Sequence, residues 1–243
     1  MMYGWRARLG VIVSPPNTVC EREMAQLAPE GVSIHAARMF RPRGVGSLSR
    51  DVLLQTNESL PQVAESLGHL KPHLVLFAHT MGSMINGPDQ EQALTDMLAE
   101  ASDCTAITTA TAVVDALNAL QVSRLSLAAP YPDVMTKMEV KYLEEAVPGL
   151  EVVKDMCLSM ESGFDIGTLD PSVAYTTAKE VDDPRAEAIF LSGTNWRTID
   201  MIGPLEADLG KPVITANQAT FWAAMKHLHI GGISGYGRLL DLL

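Results

Sequence analysis

The stretch LVLFAHTMGS, residues 74–83, sets an apolar run against a histidine, a threonine and a turn of small residues. A run that is apolar at every position suits a strand buried on both faces of a sheet. A second stretch, AIFLSGTNWR (188–197), has the same shape. The first copy carries His79 just before its threonine, and the second carries Gly193 there. Working outward, further β-rich runs flank both copies. They are RLGVIVS (8–14), VSIHAA (32–37), TAITTA (105–110), RLSLAAP (124–130), LEVVKDMCL (150–158) and PVITAN (212–217). Longer segments with helical periodicity separate them: SRDVLLQTNESLPQVAESLGHL (49–70), PDQEQALTDMLAEA (88–101), ATAVVDALNAL (110–120), PDVMTKMEVKYLEEAV (132–147) and TNWRTIDMIGPLEADLG (194–210). The last ends on Gly210, a C-terminal cap ahead of a proline. Alternation of this kind predicts an α/β protein with parallel sheets.

The pattern also repeats. RLGVIVSPPNT resembles RLSLAAPYPDV, each a strand running into a proline turn, as LVLFAHTMGS resembles AIFLSGTNWR. The simplest reading is two pseudosymmetric, flavodoxin-like α/β lobes facing each other. The expected division is 1–110, completed by 218–243, for the first lobe and 111–217 for the second. Ligands of parallel α/β sheets sit beyond the carboxyl ends of the strands. Asn17, His79, Tyr131 and Thr194 fall at such ends, so facing lobes would bring them to one cleft.

Composition narrows the function. With 47% hydrophobic residues in 243, the chain is long and apolar enough for a sizeable core. A net charge of −11 argues against a nucleic-acid groove, although the local field of a pocket can still favour an anion. Cys20, Cys104 and Cys157 are odd in number and widely spaced, which fits neither a disulfide framework nor a zinc site and points to a reducing cytoplasm. The opening MMYGWRARLG lacks the apolar core of a secretory signal, and no apolar run is long enough to span a membrane.

At SPPNTVCERE, FAHTMGS, TATAVVDALNALQVSRLSLAAPYPD, GFDIGTLDP and LSGTNWRTIDMIGPLEADLGKPVITANQATFW, the chain resembles the aspartate/glutamate racemase superfamily. Within it, the resemblance is to the branch of maleate cis–trans isomerases and arylmalonate decarboxylases. The resemblance implies two lobes with the site between them, oligomers of the chain, and cofactor-free, metal-free chemistry beside a carboxylate. Isomerases and racemases of that superfamily place one catalytic cysteine on each lobe. Those positions are His79 and Gly193 here, and the position of an assisting asparagine is Gly163. Arylmalonate decarboxylases keep the second thiol. Asn17 and Tyr131 match a substrate-binding asparagine and a carboxylate-binding tyrosine. Thr80 and Thr194 keep the threonines of the two turns, and Met81 stands where a serine belongs.

The candidate catalytic residues are therefore His79 and Tyr131. The candidate substrate contacts are Asn17, Thr80, Met81, Ser83, Gly163, Gly193, Thr194 and Asn195. The two turns could cradle a carboxylate with backbone N–H groups, or they could simply cap helices. A histidine with a pKa near its ordinary value of about 6.5 suits proton transfer at neutrality. No other ligand lies at metal-binding spacing from His79, and His227 and His229 end a helix. Trp196 and Arg197 are expected one turn into a helix, the first as packing. Racemisation needs groups on both faces and thiol-adduct isomerisation needs a thiolate. Decarboxylation needs donors for an enediolate and one proton donor. The leading expectation is a cofactor-independent decarboxylase-type lyase for a small malonate- or maleate-like acid, with His79 delivering the proton. Cis–trans isomerisation or racemisation of such an acid, and carboxylate binding without catalysis, are the alternatives.

Overall fold

A computed structural model describes residues 2–44 and 48–243. The described strands are β1 (Ala7–Val13), β2 (Val32–Arg38), β3 (Leu74–Ala78), β4 (Ala106–Thr108), β5 (Arg124–Ala129), β6 (Glu151–Cys157), β7 (Ala188–Leu191) and β8 (Val213–Thr215). They form two parallel four-stranded sheets, ordered β2-β1-β3-β4 and β6-β5-β7-β8. The helices are α1 (Cys20–Leu27), α2 (Arg50–Asn57), α3 (Leu60–Gly68), α4 (Thr80–Met84), α5 (Glu91–Ser102), α6 (Thr109–Ala119), α7 (Asp133–Ala146), α8 (Gly163–Thr168), α9 (Pro171–Val181), α10 (Ile202–Leu209) and α11 (Ala216–His227). The α/β class and the internal repeat predicted from the sequence are both present.

Position in the sheet follows composition. Every residue of β3 and β7 is buried, as their unbroken apolar runs require, while β2 and β6, which mix charged with apolar residues, form edges. In each sheet the chain first steps outward, from β1 to β2 or from β5 to β6. It then returns to the other side of the starting strand, as β3 or β7. The order reverses between β1 and β3, and between β5 and β7. Crevices outside the carboxyl ends of such strand pairs are where open α/β sheets bind ligands. The four loops leaving these strands begin at Ser14, His79, Pro130 and Ser192.

Two helical expectations change. The segment 49–70 breaks into α2 and α3, because Pro61 lacks the N–H that a continuous helix needs and instead sits in the first turn of α3. The segment 194–210 becomes helical only at Ile202, after a short 3-10 turn at Ile199–Met201. Thr194 and Asn195 bond to the first half of the chain rather than cap a helix, and the N–H groups of Thr198 and Ile199 donate to the buried carboxyl of Glu23. Trp196 and Arg197 therefore lie in a loop, and Trp196 is fully buried, as a packing residue. Gly210 caps α10 as expected, with φ +69° and its N–H on Glu206.

α11 follows β8 yet packs on α6, α1, β3 and β4, tying the two halves together. It starts at a capping box of Thr215 and Gln218 and is buried from Ala216 to Met225. No helix among the described residues is long and apolar enough to cross a membrane.

Candidate active site

The four loops meet in one cavity between the sheets. About 50 Å³ of it is open to the centre of a water molecule, room for a small ligand rather than a polymer. His79, Tyr131, Gly163, Gly193, Thr194 and Asn195 line it. Hydrogen bonds between the halves set its shape. Thr194 Oγ1 donates to the Ala78 carbonyl (3.0 Å) and accepts from Asn17 Nδ2 (3.3 Å). Asn195 Oδ1 accepts from the Thr18 N–H (2.8 Å), while its Nδ2 donates to the Gly163 carbonyl (2.5 Å). Both ends of the Asn195 amide are thus engaged in holding the loops. Asn17 lies behind the wall, where its Oδ1 accepts the N–H groups of Val19 and Cys20 at the start of α1.

His79 precedes α4 in extended conformation and is half-buried. Its ring lies against Gly82, where a β-carbon would come within 2.1 Å of Nδ1. That close approach requires glycine. Nδ1 is buried without a partner, so Nε2 is the ring nitrogen left for a ligand. Burial, assisted by the positive charge of Arg41, pushes the His79 pKa down from 6.5 to about 4. The imidazole is therefore neutral at pH 7, which departs from the near-neutral pKa expected from the sequence.

The other members of the HTMGS turn stand behind the cavity wall. The Thr80 hydroxyl is buried next to the Tyr131 phenol. Met81 belongs to the hydrophobic core. Ser83 Oγ donates to the Thr80 carbonyl and accepts the Ala110 N–H, so it ties α4 to α6. The N–H groups opening α4 have no partner within the helix.

On the opposite lobe, Gly193 has φ +104°, and a β-carbon there would lie 3.0 Å from the Tyr131 hydroxyl and 3.2 Å from Pro130 Cγ. The phenol and Pro130 thus crowd one side of Gly193, while its other side faces the cavity. The Tyr131 hydroxyl lies 3.3 Å from Ser192 Oγ, which lies 2.6 Å from Glu139 Oε1. Burial and the Glu139 carboxyl raise the Tyr131 pKa, so the phenol keeps its proton. At Gly163 a β-carbon would meet Pro16 at 2.9 Å, so that position is closed by the first proline turn.

Three participants escaped the sequence reading. Arg41 lines the cavity from the loop after β2, and no carboxylate pairs with it among the described residues. Nothing in its local sequence marks it. Ser192 and Glu139 back Tyr131. Glu139 does carry a signal, since it shares the buried face of α7 with Met135, Tyr142 and Leu143, a place where an unpaired carboxyl is unusual. None of Cys20, Cys104 and Cys157 lines the cavity. Among the described residues no group of three histidine, cysteine or acidic side chains could hold a metal ion.

The sequence pattern of the arylmalonate decarboxylase family matches residues 9–240. The chain belongs to that family. Within reach of it, arylmalonate decarboxylase from Bordetella bronchiseptica is 30% identical over 96% of both chains. Maleate isomerase from Pseudomonas putida is 27% identical over 96% of this chain and 97% of its own. Among solved structures, a maleate cis–trans isomerase mutant from Nocardia farcinica, holding a covalent succinylcysteine intermediate, superposes with a TM-score of 0.90. It is 23% identical and covers 98% of this chain and 99% of its own, which establishes the shared fold. Membership thus bears out the resemblance read from the loop motifs, and the family's fold brings those loops to one cavity.

Proposed function

We propose that this family member is a cofactor-independent decarboxylase of a small malonate-type acid, with His79 supplying the proton. The relatives support an enzyme that decarboxylates or isomerises a small carboxylate. The observation favouring decarboxylation is that, among the described residues, the cavity presents one ring nitrogen and no thiol. The Nocardia farcinica isomerase carries its intermediate on a cysteine. No cysteine among the described residues is placed to form such an adduct.

In this reading the retained carboxylate sits against the Tyr131 hydroxyl and the N–H groups opening the two turns. The bond from the central carbon to the second carboxylate breaks, CO2 leaves, and the electron pair becomes an enediolate on the retained group. Donors already in place stabilise that charge without reorganising. Leu48, Leu53, Ile166 and the paired prolines give the cavity an apolar side, which favours conversion of an anion to neutral CO2. His79 then donates its proton from Nε2 to the carbon and recovers one from water.

The imidazole must first gain that proton. Arg41 attracts the dianion and, in the empty site, opposes protonation of His79. Two bound negative charges reverse that balance, so substrate brings its own acid into being. Malonate-type and maleate-type acids incubated with the protein, followed by proton NMR and CO2 release, test the proposal. CO2 from a malonate, abolished in His79→Ala, is the expected result. Maleate converted to fumarate without CO2 would instead make the protein an isomerase. Thermal stabilisation by these acids without turnover would make it a binding protein.

A further inference from the structure

Glu139 is fully buried, and the proposed chemistry makes no use of it. Its Oε1 lies 2.6 Å from Ser192 Oγ, and its Oε2 is buried with no partner. The other deeply buried glutamate, Glu23, is treated differently. Its two oxygens receive the N–H groups of Thr198 and Ile199 and the Nδ2 of Asn217. Three donors suit a carboxylate. One hydroxyl suits a neutral acid, whose single O–H needs one acceptor and whose carbonyl tolerates isolation better than a bare charge does.

We propose that Glu139 is a positioning residue that, through Ser192, directs the Tyr131 O–H into the cavity. The inference rests on the reading that the cavity binds a carboxylate. With Glu139 protonated on Oε1, its O–H donates to Ser192 Oγ. Ser192 then donates its own proton to the Tyr131 oxygen at 3.3 Å, the neighbouring Thr80 hydroxyl donates to the same oxygen, and the phenol proton is left for a ligand. With Glu139 ionised every bond reverses. Ser192 donates to the carboxylate, Tyr131 donates to Ser192, and the cavity meets an oxygen lone pair that repels an anion. Gly193 matters to this arrangement, because a side chain there would come within 3.0 Å of the phenol oxygen.

Burial is the main influence on Glu139, and it raises the carboxyl pKa to about 8. The elements packed on α7 bring other titratable groups. Asp155 on β6 is paired with Lys137, Glu91 lies beside Tyr142, Asp89 precedes α5, and His79 precedes α4. None of them contributes to the shift of Glu139.

The test is calorimetric titration of wild type, Glu139→Gln and Glu139→Leu with phenylmalonate and with maleate between pH 6 and 9. The glutamine amide N–H donates to Ser192 as the neutral acid does but cannot ionise. Its affinity should match wild type at pH 6–7 and then lose only what proton uptake by His79 imposes on both proteins, while wild type weakens about tenfold or more beyond that by pH 9, the worth of one hydrogen bond to an ion. Glu139→Leu should be weak throughout. An alkaline loss as steep in Glu139→Gln as in wild type, or full affinity in Glu139→Leu, overturns the proposal. Glu139→Gln keeps shape and polarity, so it decides the matter even where Glu139→Leu does not fold. Infrared spectra supply an arm independent of ligand. A neutral carboxyl band present in wild type at pH 7 and missing in Glu139→Gln supports the proposal, and its absence from wild type overturns it. If wild type binds neither acid while that band is present, the functional reading fails and the assignment of Glu139 as a neutral donor stands.

Discussion

Replacing Glu139 with glutamine should change how the stability of the protein depends on pH. The carboxyl titrates near 4.5 in an unfolded chain and near 8 in the fold, because burial disfavours its charge. Between those values the folded state holds a proton that the unfolded state has released. The stability linked to this group is therefore fully present below about pH 4.5 and is lost as pH rises to about 8. The slope approaches about 1.4 kcal/mol per pH unit over most of that window. His79 acts in the opposite direction. Its pKa falls from 6.5 to about 4 in the fold, so its contribution is present above 6.5 and lost as pH falls toward 4. Below pH 6.5 the two slopes largely cancel, and from 6.5 to 8 Glu139 acts without that opposition. Integrated over this upper interval, its titration removes about 2 kcal/mol of stability. Urea unfolding of both proteins at pH 6.5 and pH 8 isolates the effect, because every other titrating group is shared. Wild type should lose about 2 kcal/mol more than Glu139→Gln over this interval. Equal losses in the two proteins would refute the claim that Glu139 is buried as a neutral acid.

Three further outcomes follow from the site geometry. Gly82→Ala puts a β-carbon 2.1 Å from His79 Nδ1, so the ring must move. In kinetic and melting assays kcat/KM should fall about a hundredfold, against a stability cost of about 1–3 kcal/mol. Gly193→Cys adds a side chain at φ +104° and 3.0 Å from the Tyr131 hydroxyl, and urea denaturation should show a loss of about 1–3 kcal/mol. If a bound dicarboxylate protonates His79 as proposed, binding at pH 7 should take up close to one proton, since the imidazole is neutral without it. Calorimetry in buffers of different ionisation enthalpy measures that uptake, and His79→Asn should abolish it.

Much of the fold could be read from the sequence because its strands are buried on both faces. LVLFA and AIFL admit no polar residue, and the loops that follow them start where the apolar run stops. Pairing the two quoted repeats identifies β1, β3, β5 and β7, the strands whose ends form the crevice. Contacts across the chain were less legible. Asn195 looks like a substrate ligand in its turn, yet its amide clamps Thr18 to Gly163, residues that no local pattern connects to it. Arg41 lies in a loop without a motif and reaches the cavity only through the fold. The low pKa of His79 is likewise a property of its surroundings. Histidine before a threonine says nothing of a guanidinium arriving from the loop after β2.

The contrast between His79 and Gly193 gains a physical meaning from Tyr131. A site with reactive groups on both lobes needs matched side chains at the two turns. Here the second turn is held at a positive φ by a glycine, and the phenol stands 3.0 Å from where its β-carbon would be. The phenol keeps its proton and is backed by Ser192 and Glu139, which makes it a donor rather than a base. Among the described residues lining the cavity, His79 is the group whose charge the proposed chemistry changes when an anion binds. Stabilising donors on one side and a single proton source on the other form an arrangement suited to protonating a developing carbanion from one face. A racemase requires an abstraction step on the second face, and among the described residues lining the cavity from this lobe none is placed as its base.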